Sequence, residues 1–182
     1  MLAFAQIDQK YLSWKQPRWT REYYELRAGK EVIGSLAMTK WFSDQAEVIT
    51  ASGAWIFDRT GFFRSGGIVY ERESQVELAS FEYDWIKDCQ ISMHDRQTFK
   101  WFRTKVLDST WAMTTEKDQL LFELVLGTHW FKREGWVTLD VQPGDFPNLD
   151  LLICLSYYLG YCALNDTAAA VAATTSATAA IG

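Results

Sequence analysis

The chain has 182 residues, of which 15 % are aromatic and 23 % charged, and its formal net charge is −5. This length suits one domain, and the acidic balance weighs against nucleic acid as the main partner. The three cysteines lack CxxC spacing, which argues against a disulfide framework and favours a reducing compartment. Because the N-terminus has no basic region typical of a signal peptide, we expect a cytoplasmic protein.

Residues 1–20 show no periodicity, and Pro17 breaks regular structure. We therefore interpret them as a lead-in segment before a barrel domain that spans residues 21–164. The first forty residues contain more basic than acidic residues, so the excess of acidic residues lies further along the chain. The basic residues there are Lys10, Lys15, Arg18, Arg21, Arg27, Lys30 and Lys40, against the acidic residues Asp8, Glu22, Glu25 and Glu31.

From Arg21 onward, short segments rich in β-branched and aromatic residues alternate with turn signals. The turns recur roughly every 8 to 12 residues, which is typical of an all-β sandwich or barrel, and we count about eleven strands. No βαβ pattern interrupts them. The sequence thus predicts a mainly β protein with antiparallel strands.

The segment around Ala79-Ser80 changes the face that it presents to the core. Val76 and Leu78 share one side of the predicted strand, while Phe81 and Tyr83 share the other. Because side chains alternate along a strand, this change of face requires a bulge or bend near Ala79-Ser80.

The stretch from Leu149 to Leu164 is apolar on every side when it is drawn as a helix. Such a helix has to be enclosed by protein or by lipid. The preceding prolines, of which Pro147 is the last, set the predicted helix at residues 147–164. We expect the strands to close into a barrel around this helix, with Ser156 and Gly160 allowing close approach to the barrel wall.

A membrane span is the alternative interpretation of this helix. Sixteen residues of helix measure about 24 Å, whereas a bilayer core needs about 20 residues. If the Ala-rich tail lengthened the helix enough to span, Asn165 and Asp166 would lie in the hydrocarbon. No Lys or Arg follows Leu164 to anchor the far side of the membrane. We therefore expect no transmembrane span. The Ala- and Thr-rich tail, residues 165–182, is either a second short helix or disordered, and we favour a mostly disordered tail.

The whole pattern resembles the tubby-like fold, which is shared by tubby C-terminal domains, phospholipid scramblases and plant LURP-one-related proteins. It is nearest to small uncharacterised bacterial members of that group. The resemblance implies a closed antiparallel barrel of about twelve strands around a C-terminal hydrophobic helix, and its branches bind phosphoinositides, scramble lipids or act in defence. It rests on Tyr24-Glu25-Leu26, Val32 to Leu36, Gly53 to Phe62, Pro147 to Leu152, Tyr157-Tyr158-Leu159 and the Ala-rich tail.

The sequence contains no recognisable catalytic, phosphate-binding or metal-binding motif of the GxGxxG, GxxxxGK[ST], HExxH, GxSxG or CxxC type. The two histidines, His94 and His129, are far apart in the sequence and are interpreted as ordinary surface or satisfied residues. We therefore expect no enzymatic activity, no cofactor and no metal.

Arg59, Arg64 and Arg72 flank an aromatic hairpin whose tip is Phe62-Phe63. Three guanidinium groups beside exposed aromatic rings could contact an anionic headgroup or the carboxylates of a partner. Outward charges that keep the strands soluble are the alternative. The sequence thus predicts a binding or scaffold domain for an anionic lipid or a protein partner. A membrane-associated protein that inserts residues 149–164 is the second hypothesis.

Overall fold

The structure, a computed structural model, describes residues 4–7, 9–40, 43–60, 65–83, 88–105, 109–129 and 132–179. This part of the chain forms twelve strands and one long helix, after a short 3-10 turn at Phe4–Gln6. The elements are β1 (Tyr11–Lys15), β2 (Tyr23–Ala28), β3 (Glu31–Lys40), β4 (Ser43–Thr50), β5 (Ala54–Thr60), β6 (Gly66–Glu71), β7 (Glu77–Tyr83), β8 (Asp88–Met93), β9 (Thr98–Lys105), β10 (Thr110–Thr115), β11 (Leu120–His129), β12 (Lys132–Leu139) and α1 (Leu149–Ala179).

Each strand pairs antiparallel with its neighbours in the sequence, and β1 also pairs with β12, so the sheet closes on itself. Closure removes the unpaired edges that an open sheet would expose. The alternation is clear in β8, where Cys89, Ile91 and Met93 are buried and the residues between them are exposed. The predicted barrel of about twelve strands with a C-terminal helix is confirmed.

The strand that closes the barrel, β1, lies inside the segment that the sequence analysis assigned to a lead-in. Its pairing with both β2 and β12 shows that the barrel begins at Tyr11, not at residue 21. The five-residue strand is too short to show clear periodicity, and its outward Tyr11 is as aromatic as its inward Trp14. Pro17 follows the strand and does not interrupt it.

Helix α1 occupies the lumen of the barrel. Every residue from Leu149 to Cys162 is buried, which explains why the sequence is apolar on all sides of the helix. Strands on different sides of the barrel contact it: Trp14 of β1 stacks on Tyr157 at 4.4 Å, Phe57 of β5 meets Tyr158 at 5.6 Å, and Trp101 of β9 donates to Ser156 Oγ at 2.8 Å. Within the described residues, no helix is both long enough and apolar enough to cross a bilayer.

The helix gives the barrel two distinguishable ends. We call the end where α1 begins the start end and the end where α1 leaves the lumen the exit end. At the start end, Asp150 accepts a hydrogen bond of 2.9 Å from Thr50 at the end of β4. At the exit end, Asp166 pairs with Arg59 of β5 at 2.9 Å. Strands β2, β4, β6, β8 and β10 end at the start end, and strands β1, β3, β5, β7, β9 and β11 end at the exit end.

The helix begins at Leu149, two residues after the predicted start, and continues past Leu164 to Ala179. The sequence analysis favoured a mostly disordered tail from residue 165, whereas the structure has helical backbone there. Alanine is the strongest helix former, and neither proline nor glycine stands between Leu164 and Ala179. The tail therefore extends α1 beyond the barrel wall.

The predicted irregularity in β7 is present, one residue earlier than expected. Val69 of β6 pairs with Ala79 while its neighbour Tyr70 pairs with Glu77, so Leu78 has no partner in that ladder. The bulge turns Ala79 and Phe81 inward and leaves Val76 exposed.

Candidate functional site

The three arginines predicted as a ligand site are not brought together by the described residues. Arg59 lies at the exit end, and Arg72 lies in the turn after β6 at the start end. Arg64 lies outside the described residues, as do Phe62 and Phe63. The assignment of this trio to a ligand therefore stays a prediction.

The side chain of Arg59 is only 5 % exposed, and it joins the helix to the barrel wall. Its guanidinium pairs with Asp166 at 2.9 Å and Asp44 at 3.3 Å, and it lies 5.6 Å from the centre of the Tyr83 ring. Burial, the largest single influence, would lower the pKa of Arg59, but the hydrogen bond to Asp166 and the charge interactions with Cys162, Tyr83 and Asp166 together raise it. Arg72, by contrast, is exposed and pairs with Glu47 across the outer surface.

A groove of about 1030 Å³ lies on the outer side of the barrel beside the helix exit. It is bounded by the connection between β1 and β2 and by the outer faces of β2 and β3. Its lining residues are Pro17, Arg18, Trp19, Thr20, Arg21, Glu22, Tyr23, Glu25, Ala37, Met38 and Thr39.

The buried side chain of Gln16 holds this connection in place. Its amide nitrogen donates to the carbonyl of Arg21 at 2.8 Å, and its amide oxygen accepts from the backbone nitrogen of Arg133 in β12 at 2.9 Å. Arg21 also donates its backbone N–H to the carbonyl of Arg18 at 3.1 Å, which forms a tight turn around Trp19. These hydrogen bonds therefore define the shape of the connection on this side of the groove.

The acidic and the basic side chains that line the groove differ in whether they have hydrogen-bond or ion-pair partners. The Glu22 carboxylate accepts a hydrogen bond from the Tyr161 hydroxyl, and the Glu25 carboxylate pairs with Arg27 at 2.5 Å. Across the described part of the chain, no carboxylate forms an ion pair with Arg18 or Arg21. The groove is thus lined by two guanidinium groups that form no ion pair within the described residues and by the Glu22 carboxylate, whose hydrogen-bond donor is a neutral hydroxyl.

Aromatic side chains accompany these cations. Trp19 is 68 % exposed and Tyr23 is 37 % exposed, which is unusual for residues of this size. A planar guanidinium beside exposed rings provides both ionic hydrogen bonds and apolar contact area. This combination suits a ligand with an anionic group on an apolar body.

The groove shares a wall with the helix exit. Tyr161, which donates to Glu22, lies under the guanidinium of Arg133 at 4.4 Å, and Arg133 in turn donates to Asn165 of the helix. Burial first, and then the bond to Glu22, raises the pKa of Tyr161. Tyr161 is therefore a neutral donor to the Glu22 carboxylate at the wall that the groove shares with the helix exit.

Within the described residues, no group of three or more potential ligands could hold a metal ion. In comparisons with known proteins, no protein-family model, curated protein or solved structure matches this chain. The evidence for function therefore comes from the chemistry of the groove.

The sequence analysis did not single out Arg18, Trp19, Arg21 or Tyr23. The available signal was the positive lean of the first forty residues, in which Arg18 and Arg21 flank an aromatic residue. Because this stretch was predicted to precede the barrel, the sequence did not predict that it contributes to a site.

Proposed function

We propose that the protein is a non-enzymatic binding domain of tubby-like fold, and that its groove takes the anionic headgroup of a lipid. A twelve-stranded closed barrel with a helix in its lumen is compatible with that fold. The observation that carries the proposal is the pair of guanidinium groups, Arg18 and Arg21, that have no carboxylate partner in the groove. Fold alone would be a weak reason to propose lipid binding.

The chemistry of the groove supports this ligand class. Guanidinium groups bind phosphate and carboxylate oxygens through paired, charge-assisted hydrogen bonds. Trp19 and Tyr23 would pack against the glycerol and upper acyl segments, because aromatic rings favour such mixed environments. Because α1 fills the lumen, the proposal places the ligand on the outer surface, in this groove.

We also propose a cytoplasmic location. Cys89, Cys154 and Cys162 are all free and buried. Free thiols that serve as core residues are typical of proteins from reducing compartments.

Calorimetric titration with soluble headgroups, glycerophosphoserine and inositol trisphosphate, tests the proposal. We expect the Arg18→Gln/Arg21→Gln variant to bind at least about tenfold more weakly than the wild type, because each lost charge-assisted bond contributes about 1.5–3 kcal/mol. The Lys30→Gln/Lys117→Gln variant removes two exposed charges at the start end and serves as the matched control. The proposal would be contradicted if neither headgroup bound the wild type, or if both variants lost the same amount of headgroup affinity.

A protein partner is the second candidate, and an outer-wall patch favours it. Val125 of β11 and Trp136 of β12 are direct neighbours in the sheet and are 39 % and 47 % exposed, and Tyr11 of β1 lies diagonally beside them at 68 %. Apolar patches of this kind often mark protein interfaces. Trp136→Ala separates the candidates, since it should leave headgroup binding unchanged.

Insertion of residues 149–164 into a membrane would require the barrel to open, because residues 149–162 are buried in its lumen. The helix residues that lie beyond the wall are those after Asp166. For this reason we do not propose that the buried segment acts as a membrane anchor.

A further inference from the structure

The two carboxylates that line the groove differ in how their charge is balanced. The Glu25 carboxylate accepts hydrogen bonds from Nε of Arg27 at 3.0 Å and from Nη2 of the same guanidinium at 2.5 Å. The Glu22 carboxylate accepts a hydrogen bond from the Tyr161 hydroxyl, which carries no charge, and within the described residues it forms no ion pair. The negative charge of Glu22 is therefore presented to the groove, while that of Glu25 is neutralised.

The basic residue that packs on Tyr161 forms no ion pair with Glu22. The guanidinium of Arg133 lies over the Tyr161 ring, 4.4 Å from its centre, and donates to the side chain of Asn165. Among the described residues that line the groove, none is a lysine. An ammonium partner for Glu22 would therefore have to come from a ligand.

The backbone places the two signs of charge on different sides of the groove. The Arg21 N–H donates to the Arg18 carbonyl at 3.1 Å, so the two arginines are the first and fourth residues of one turn and lie close enough to approach one ligand. In β2, Tyr24 faces the lumen, and Glu22 shares its parity. The Glu22 carboxylate thus lies at the barrel mouth, where it meets Tyr161 of the helix.

We propose that the headgroup bound in the groove carries a primary ammonium group beside its anionic groups, as a phosphoserine headgroup does. Arg18 and Arg21 bind the phosphate and the carboxylate of the ligand, and Glu22 binds its ammonium group. This inference rests on the proposed function, from which it takes the lipid headgroup. It adds the chemical class of that headgroup and a role for Glu22.

The charges of the groove are complementary to this class of ligand. Two guanidinium groups and one carboxylate line the groove without ion pairs, and a phosphoserine diester has two anionic groups and one ammonium group. Guanidinium groups bind phosphate and carboxylate oxygens through paired hydrogen bonds. An ammonium group has three N–H donors, and it can bind the Glu22 oxygen that Tyr161 leaves free. An inositol phosphate has no cation, so its phosphates would meet Glu22 as like charges.

Calorimetric titration with glycerophosphoserine and with its N-acetyl derivative tests the inference. Acetylation removes the positive charge of the amine and leaves the phosphate and the carboxylate in place, so attraction by the arginines alone predicts tighter binding of the derivative. We expect the opposite. Glycerophosphoserine should bind at least about tenfold more tightly, the order expected for one charge-assisted hydrogen bond. Equal binding of the two compounds, or tighter binding of the derivative, would overturn the inference.

Two carboxamide variants assign the preference to a residue. Glu22→Gln keeps an oxygen that can accept from Tyr161 but removes the charge, and it should abolish the preference for the free amine. Glu25→Gln makes the same change of charge in the same groove, at a carboxylate that Arg27 already neutralises, so most of the preference should remain. Urea unfolding checks that both variants fold. Loss of the preference in both variants, or in neither, would overturn the role of Glu22.

The same titrations separate a failure of this inference from a failure of the proposed function. If both compounds bind and lose affinity in the Arg18→Gln/Arg21→Gln variant, but show no preference for the free amine, only the inference is wrong. Binding of inositol trisphosphate alone would also overturn the inference and leave the proposed function standing. If none of the three compounds binds, the proposed function is wrong as well.

Vesicles distinguish a lipid from a soluble ligand with the same headgroup. Phosphatidylcholine vesicles that contain phosphatidylserine should bind the protein more tightly than vesicles with the same fraction of phosphatidylglycerol, which has the same net charge and no amine. The Glu22→Gln variant should lose this difference. Binding of glycerophosphoserine without any binding to the vesicles would overturn the assignment of the ligand to a lipid.

Discussion

Arg59 connects the barrel wall to the helix through an almost fully buried guanidinium. It shares strand parity with Trp55 and Phe57, both of which face the core. An inward arginine near the mouth of a barrel needs carboxylate partners, and Asp44 and Asp166 provide them. The side-chain alternation that directs Arg59 inward could be read from the sequence. Asp166 lies 107 residues away from Arg59, and only the fold shows that these two residues meet.

Replacing Arg59 should therefore affect stability more than replacing Arg72. Arg59→Met leaves Asp44 and Asp166 without their cation, and we expect a loss of about 2 kcal/mol in the free energy of unfolding. Arg72→Met removes an exposed pair with Glu47, which contributes about 0–1 kcal/mol. Urea denaturation of both variants measures the difference. Equal midpoints would show that the Arg59 pair does not secure the helix.

The groove residues show a limit of reading side chains one at a time. Composition predicts that Arg18 and Arg21 are exposed, as most arginines are. It does not predict which nearby carboxylates are already occupied. That depends on Tyr161 reaching Glu22 across 139 residues of sequence.

Two glycines control how closely elements approach each other. In β6, a Cβ on Gly67 would lie 2.4 Å from the carbonyl oxygen of Asp58 and 2.2 Å from Phe81 Cζ. In α1, a Cβ on Gly160 would lie 2.6 Å from Leu126 Cδ1, the far end of a flexible side chain. The sequence correctly predicted that Gly160 lets the helix pass close to the wall.

The two alanine substitutions should therefore differ. Gly67→Ala meets backbone that cannot move without breaking the sheet, and we expect a destabilisation of about 3 kcal/mol. Gly160→Ala displaces a methyl group of Leu126 but gains about 1 kcal/mol of helix propensity, so we expect a net change within about 1 kcal/mol. Thermal and urea unfolding compare them. A larger cost at Gly160 would mean that the wall around Leu126 is rigid.

Element prediction succeeded where long apolar patterns exist and failed at short or neutral segments. The helix from Leu149 was predicted because only enclosure explains a segment that is apolar on every side. Strand β1 was missed because five residues cannot show a period, and the helical tail was missed because alanine-rich sequence buries little apolar area on its own.

At the scale of the whole molecule, the barrel and the helix form one core. Inward side chains of the strands pack on α1, and residues 149–162 fill the lumen. A barrel of about twelve strands leaves an interior wider than its own side chains can fill. The sheet therefore needs the helix as much as the helix needs the sheet, and neither should be stable alone.

Two truncations test this mutual dependence. Removing everything after Gly144 deletes the helix, so we expect the remaining strands to lose near-ultraviolet circular dichroism, bind anilinonaphthalene sulfonate and unfold without a cooperative transition. Removing everything after Thr167 keeps the buried turns and Asp166, and it should change the free energy of unfolding by no more than about 0.5 kcal/mol. A cooperative transition in the shorter chain, with a native-like dependence on urea, would show that the sheet closes and holds its core without the helix.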